Sequence, residues 1–207
     1  MPLRAPPGRA GRLWLVRRLA VARRGVDVLD QKRQTLLREQ QRLSEALAAA
    51  RLDWEPKARV AAGWNDRALA IAGERRLRLA AAPGGRRCEV EVEWRNALGT
   101  VFPAGASVHL GPERDLVALG GGSVVALAAR AHAAAVVAAA GYAAARAAHE
   151  AVTAELAATA RRQRAIERRW IPEHEAELRR IALTLDERER EDIARVKWAV
   201  DARGDRR

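Results

Sequence analysis

Leu15, Leu19, Ala22, Val26, Leu29, Arg33, Leu36, Gln40, Leu43, Leu47, Ala50 and Trp54 follow one another at alternating steps of four and three, without a slip. A seam of that period, held over about five repeats, predicts a coiled-coil helix rather than a helix of a globular core. Its two polar positions, Arg33 and Gln40, cost stability and help fix register. Pro56 comes next, where a proline either kinks the helix or opens a second one near Asp53. The helical pattern resumes through Trp64, Ala68 and Ile71 and fades near Leu79.

Composition supports an elongated helical molecule. The chain of 207 residues has one Phe and one Tyr, whereas a compact core of that size uses many large side chains. Alanine dominates the apolar fraction, and Ala, Leu, Arg and Glu lead the helix-propensity ranking. Residues 1–11 read as a flexible leader, because Pro2, Pro6, Pro7, Gly8 and Gly11 make a poor helix.

The middle of the chain changes character. Pro83-Gly84-Gly85 is a break. Cys88 to Trp94 then alternates with period two, followed by short strand signals at Thr100-Val101-Phe102 and Ser107 to Leu110, with turn residues at Ala97-Leu98-Gly99 and Pro103 to Gly105. The expectation is a small β-hairpin or a three-strand flap, too short for a nucleotide-binding domain. Gly120-Gly121-Gly122 closes the insert as a hinge, and Ser123 is a candidate N-cap for a helix starting at Val124. From there to about Val200 only Pro172 opposes helix. The first half is Ala-rich, with small side chains that let a partner helix approach closely. The second half carries a seam at Val152, Leu156, Thr159, Gln163, Ile166 and Trp170, then Leu178, Ile181, Leu185, Ile193, Val196 and Val200. Spacing loosens near Pro172 and between Leu185 and Ile193, stutters that unwind a supercoil locally.

The expected fold is therefore mainly α: a long antiparallel two-helix coiled coil formed by the N- and C-terminal helices, with a small β-hairpin insert between them. The expected divisions are a leader over 1–11, the first helix over 12–80, the insert over 81–121, the second helix over 122–202 and a tail over 203–207.

Thirty-eight Lys and Arg against 26 Asp and Glu give a net charge of +12. Arg4, Arg9, Arg12, Arg17, Arg18, Arg23 and Arg24 all precede the first acid, Asp27. Such an arm suits a polyanion or an acidic protein surface, or is simply a solvated helix face. Cys88 is the lone cysteine, so neither an internal disulfide nor a zinc site is expected. No secretory signal or membrane span is expected, since Arg130 and His132 interrupt the most apolar stretch. Gly120-Gly121-Gly122 lacks the Lys and Ser/Thr of a phosphate loop. His149-Glu150 and His174-Glu175 each lack the second His of a zinc-protease motif and read as surface pairs, while His109 and His132 stand alone. The alternating acids and arginines of 186–192 read as a salt-bridged helix face. No catalytic residue, metal or cofactor is expected. Of the six tryptophans, Trp54 and Trp170 fall on the seams, and Trp14 and Trp198 lie near the two outer ends, where they either pack on each other or grip a partner.

Two stretches resemble one family. Arg23-Arg24-Gly25-Val26-Asp27-Val28-Leu29-Asp30-Gln31-Lys32-Arg33 is similar to the N-terminal block of the V/A-type ATPase D subunit. Ala165-Ile166-Glu167, Ile171-Pro172, Leu185 to Asp192 and Arg195-Val196-Lys197 resemble its C-terminal block, and Phe102-Pro103-Ala104-Gly105 echoes it in the insert. The resemblance implies the central-stalk rotor shaft, without catalytic residues of its own, transmitting torque between the catalytic head and the membrane ring. It implies as partners the head A and B subunits, the small F subunit of the stalk and a ring-connecting subunit, with a cytoplasmic place at the periphery of a membrane complex. On this reading Trp14, Arg17, Arg18, Arg23, Arg24, Arg195 and Trp198 contact the head, and Gly25, Leu29, Ile166, Pro172 and Leu185 are structural. The rivals are a basic coiled-coil nucleic-acid binder or a bland scaffold. No base-reading or stacking motif accompanies the basic arm, so nucleic acid is not the expected partner. An F-type γ shaft needs a full α/β domain for which the insert is too small.

Overall fold

The computed structural model describes residues 6–80, 87–112 and 122–204. It is mainly helical. Helix α1 spans Gly8–Ala72 and α2 spans Glu74–Ala80; strands β1 (Cys88–Ala97) and β2 (Thr100–Leu110) follow; α3 spans Gly122–Ala165, a π-helical turn occupies Ile166–Trp170, and α4 completes the chain's helices over Ile171–Gly204. The long N-terminal helix packs against the long C-terminal helices, with the hairpin between them in sequence. The Pro83–Gly85 break, the Gly120-Gly121 part of the hinge and the last residues of the tail lie outside the described residues.

The heptad reading of α1 is visible in burial. Leu15, Leu19, Leu36 and Leu43 are buried, and every other seam position from Ala22 to Trp54 is half-buried, while their neighbours on the helix are mostly exposed. The seam then passes through Ala61, Trp64 and Ala68 rather than Ile71, which is 73% exposed. Pro56 sits inside α1 and does not open a new helix. The helix starts at Gly8, earlier than the leader's composition implied. Its end is set by Gly73, whose φ of +78° is the left-handed conformation that stops helices, and whose N–H donates to the Leu69 carbonyl at 3.1 Å.

The helical material forms two compact units. The first joins α1 up to Gln34 with the chain from Ala157 onward, and the second is Thr35–Leu156. In the second unit Leu36, Leu43, Ala148 and Val152 close around Phe102 of β2, which is fully buried, with Ala97, Ala151 and Leu156 packed against them. A further cluster joins Ala68, Val125 and Ala128, with Trp64 and Leu77 against it. Seam residue Gln40 donates to Thr153 Oγ1 at 2.9 Å, so this polar position is satisfied across the helix pair. Trp54 stacks on Tyr142 with centroids 5.1 Å apart and planes within 4°.

The insert is a two-stranded antiparallel hairpin. Its loop is Leu98-Gly99, both with positive φ, as a two-residue mirror-image turn requires, and Asn96 Oδ1 accepts the Gly99 N–H at 3.0 Å. Pro103 to Gly105 do not form a second turn. Glu93 pairs with Gly105 and Trp94 with Pro103, which makes this segment a bulge inside β2; a proline without an N–H is tolerated there. On the loop side of the bulge Phe102 and Thr100 lie opposite Arg95 and Ala97, and that end of the hairpin meets the helices.

Helix α3 begins at Gly122, which has a φ of +74°, so Ser123 lies in the first turn rather than capping it. Alanines at 128, 135, 138, 144 and 148 form its buried side. By length and composition alone the helical stretch within Gly122–Val200 is apolar enough to cross a membrane, contrary to expectation, because the alanine run outweighs its few charges.

Candidate functional site

Pro172 lacks an N–H, and its ring crowds the carbonyl four residues earlier. The chain answers with the π-helical turn Ile166–Trp170, in which the Ile171 N–H donates to the Ile166 carbonyl, five residues back. The wider turn swings Trp170 and Ile166 toward α1. His174 is buried, not on the surface as its sequence context implied. Its ring stacks on Trp170 with centroids 3.5 Å apart, and Nδ1 lies 2.8 Å from the Trp170 carbonyl oxygen. That oxygen can only accept, so Nδ1 carries the proton.

Opposite this turn, α1 presents Trp14, Arg17, Arg18, Val21 and Ala22, and together with Ile166 and Trp170 they line a cleft of about 550 Å³. The Arg18 guanidinium carbon lies 4.8 Å from the Trp14 ring centroid and 5.7 Å from that of Trp170. A guanidinium within about 6 Å of two indole rings is a cation–π arrangement that favours its placement there. The structure thus brings together Trp14, Arg17, Arg18 and Ile166 of the expected site residues, and adds Trp170, which the seam had marked as core. A second cleft beside it, with Arg9, Arg12, Leu13, Val16, Leu185 and Asp186 in its wall, is more polar.

The other expected contacts are elsewhere. Trp198 is 81% exposed and does not pack on Trp14, whose ring neighbour is Arg18. Ile193, Val196 and Val200 are exposed too, so the seam ends at Leu185. Arg23 pairs with Glu175 at 2.8 Å and Arg9 with Glu189 at 2.8 Å, so part of the basic arm is answered by acids of α4. Arg195 is held by Glu191 and Asp192 on its own helix. Arg24 is exposed, Leu29 and Leu185 are half-buried on the seam, and Pro172 is exposed. Around Gly25 a methyl group would meet nothing within 4 Å.

A polar layer lies further along the same unit, near its edge at Gln34. Asp30 accepts from Arg33 at 2.9 Å and from Gln34 at 2.7 Å. The Arg33 guanidinium, with help from Gln34 and Gln163, holds the Asp30 carboxyl below its usual 3.8 against opposing desolvation. Gln163 is a seam residue of α3, so the layer satisfies polar seam positions from both sides. Seam spacing flagged Arg33 and Gln163; Asp30, one position off the seam, gave no such signal.

Among the described residues no group of three or more His, Cys, Asp and Glu is placed to hold a metal. The surface that remains is a shielded seam with a basic, tryptophan-lined cleft. A match to the family of the ATP synthase D subunit spans residues 13–201. The chain is similar to the V-type ATP synthase D subunit of Anaeromyxobacter dehalogenans strain 2CP-C, 32% identical over 197 residues that cover 94% of each chain. It is also similar to the V-type ATP synthase D subunit of Anaeromyxobacter sp. strain Fw109-5, 31% identical over 197 residues, 94% of this chain and 92% of the relative. The seam, the β-hairpin and the Ile171-Pro172 interruption thus fall within a match that takes in nearly the whole chain, and this chain belongs to the family of ATP synthase D subunits, stalk subunits of V/A-type ATPases.

Proposed function

We propose that the chain is the rotor shaft of its ATPase: a non-catalytic subunit that turns within a head of A and B subunits and carries torque to the membrane ring through a ring-connecting subunit, with the small F subunit bound at its side. The observation that carries this reading is the seam. It shields every α1 seam position from Leu15 to Trp54 at least in part. Twisting such a pair has to break packing along its whole length, which is what a torque-bearing element requires. Polar residues at the seam are matched across the helix pair, Gln40 with Thr153 and Asp30 with Gln163, and a matched polar layer opposes slippage in register.

The basic arm supports a protein partner rather than nucleic acid. Arg9 and Arg23 are engaged by glutamates of the same chain, which lowers the positive potential a phosphate backbone would feel. The place of such a subunit is on the cytoplasmic side, peripheral to the membrane.

The test has two stages. A tagged chain isolated from its native membranes should bring head and small-stalk subunits with it. A bead attached to the chain in a surface-fixed head should then rotate when ATP is added. A bead that stays still while the head hydrolyses ATP would sink the shaft reading.

A further inference from the structure

We propose that the cleft between α1 and the π-helical turn is a docking pocket for an acidic, aliphatic segment of another protein chain, in which a carboxylate side chain lies next to a Leu, Ile or Val. The proposal rests on the shaft reading and names the chemistry that the partner presents to this part of the shaft.

Arg18 is the anchor. Its guanidinium carbon lies within cation–π range of both Trp14 and Trp170, and Arg18 is otherwise exposed, so its N–H donors can meet a ligand. Those donors form a fork that fits a carboxylate two bonds at a time. Neither Arg17 nor Arg18 has a carboxylate partner among the described residues, while Arg9 and Arg23, also on α1, each have one. No acid lines the cleft. The site therefore concentrates uncompensated positive charge in a place where its own wall supplies none of the opposite sign.

The rest of the wall is apolar. Val21, Ile166 and the two indoles would be left in water by an inorganic anion that used only the arginines, whereas an aliphatic side chain beside the carboxylate covers them. A volume of about 550 Å³ is in the range of pockets that accept side chains or small ligands. Trp and Arg are also the residue types that most often anchor protein interfaces.

Val21 is 68% exposed on the rim, so a benzoylphenylalanine photoprobe there leaves the seam intact. The probe is placed in the chain within the assembled, purified ATPase and irradiated, and the adduct is sequenced. The expected adduct is on another subunit, within a few residues of an Asp or Glu adjoining an aliphatic residue. Arg18→Lys keeps the charge but loses the fork and the stacking plane, and should lower adduct yield about tenfold. An adduct on a segment without a carboxylate, on a second copy of this chain or on the chain itself overturns the proposal, as does an intact complex that gives no adduct or an Arg18→Lys yield that does not change. If the head does not co-purify with the chain, the shaft reading fails and this one falls with it, an outcome read before irradiation.

Discussion

Val152 and Trp170 are both seam residues of the returning helices, yet Val152 is fully buried and Trp170 only half so. They belong to different units. In the unit of Thr35–Leu156 a third element reaches the helix pair: Phe102 of the hairpin enters between Leu36, Leu43, Ala148 and Val152. Among its described residues the other unit consists of helical segments alone. There Leu15 and Leu19 are buried but the two indoles, Trp14 and Trp170, stay half-buried, take up an arginine and leave a cleft. A pair of helices hides a narrow apolar stripe on each, and an indole is wider than that stripe unless a third surface covers it. The unit without that surface carries the charged cleft.

The largest effect should come from removing the third surface. Phe102→Ala is expected to destabilise the chain by about 3–5 kcal/mol, the range for truncating a buried aromatic. Thermal unfolding followed by circular dichroism measures it, and hydrogen exchange should show the loss concentrated in Thr35–Leu156. A cost below about 1 kcal/mol would mean that the hairpin merely rests on the helices.

A smaller effect, of opposite sign, is expected in the other unit. Gly25 lies inside α1 with open space where a side chain would be. Gly25→Ala should stabilise the chain by about 0.5–1 kcal/mol through helix propensity. If the melting temperature rises but the variant no longer enters the ATPase complex, the open space at Gly25 is occupied by a partner.

The smallest effect is acid sensitivity, and it compares the two units directly. Asp30 and Glu177 in one, and Glu39 in the other, are held below their usual values of 3.8 and 4.5, chiefly by hydrogen bonds from Arg33, Arg180 and Arg42 respectively. A carboxylate whose folded value is depressed adds stability above its unfolded value and loses that contribution as pH falls through the folded one. Stability should therefore be level in this respect above about pH 5 and decline below about pH 4.5. These groups are half-buried and paired with solvent-facing arginines, so the decline should be shallow. Melting curves between about pH 5 and about pH 2, repeated for Asp30→Asn and Glu39→Gln, should show a flatter profile in each variant. An unaltered profile for Asp30→Asn would mean that its contact with Gln163 does not couple the two helical segments.

The seam of α1 is legible in the sequence because burial in a coiled coil repeats with the chain's own period: Leu15, Leu19, Leu36 and Leu43 are selected by spacing alone. The Ile171-Pro172 interruption is legible for a related reason, since a proline's missing donor is a local fact. The remedy for that missing donor is not. A π-helical turn, a kink or a helix end all satisfy the same local chemistry, and packing against α1 chooses among them. His174 looks like half of an exposed pair in the sequence because its burial depends on where that turn places Trp170. Trp14 and Trp198 lie near the two outer ends by sequence position, but α4 runs on past the last shared seam residue, Leu185, and Trp198 is left in solvent.

Residue order was thus enough to specify which elements form, their sequence along the chain and the stripe each helix must hide, because propensity and periodicity act between near neighbours. Which aromatic rings become core and which become the wall of a cleft was decided by packing between distant segments. That choice depends on how many surfaces meet at a point, and no local pattern records it.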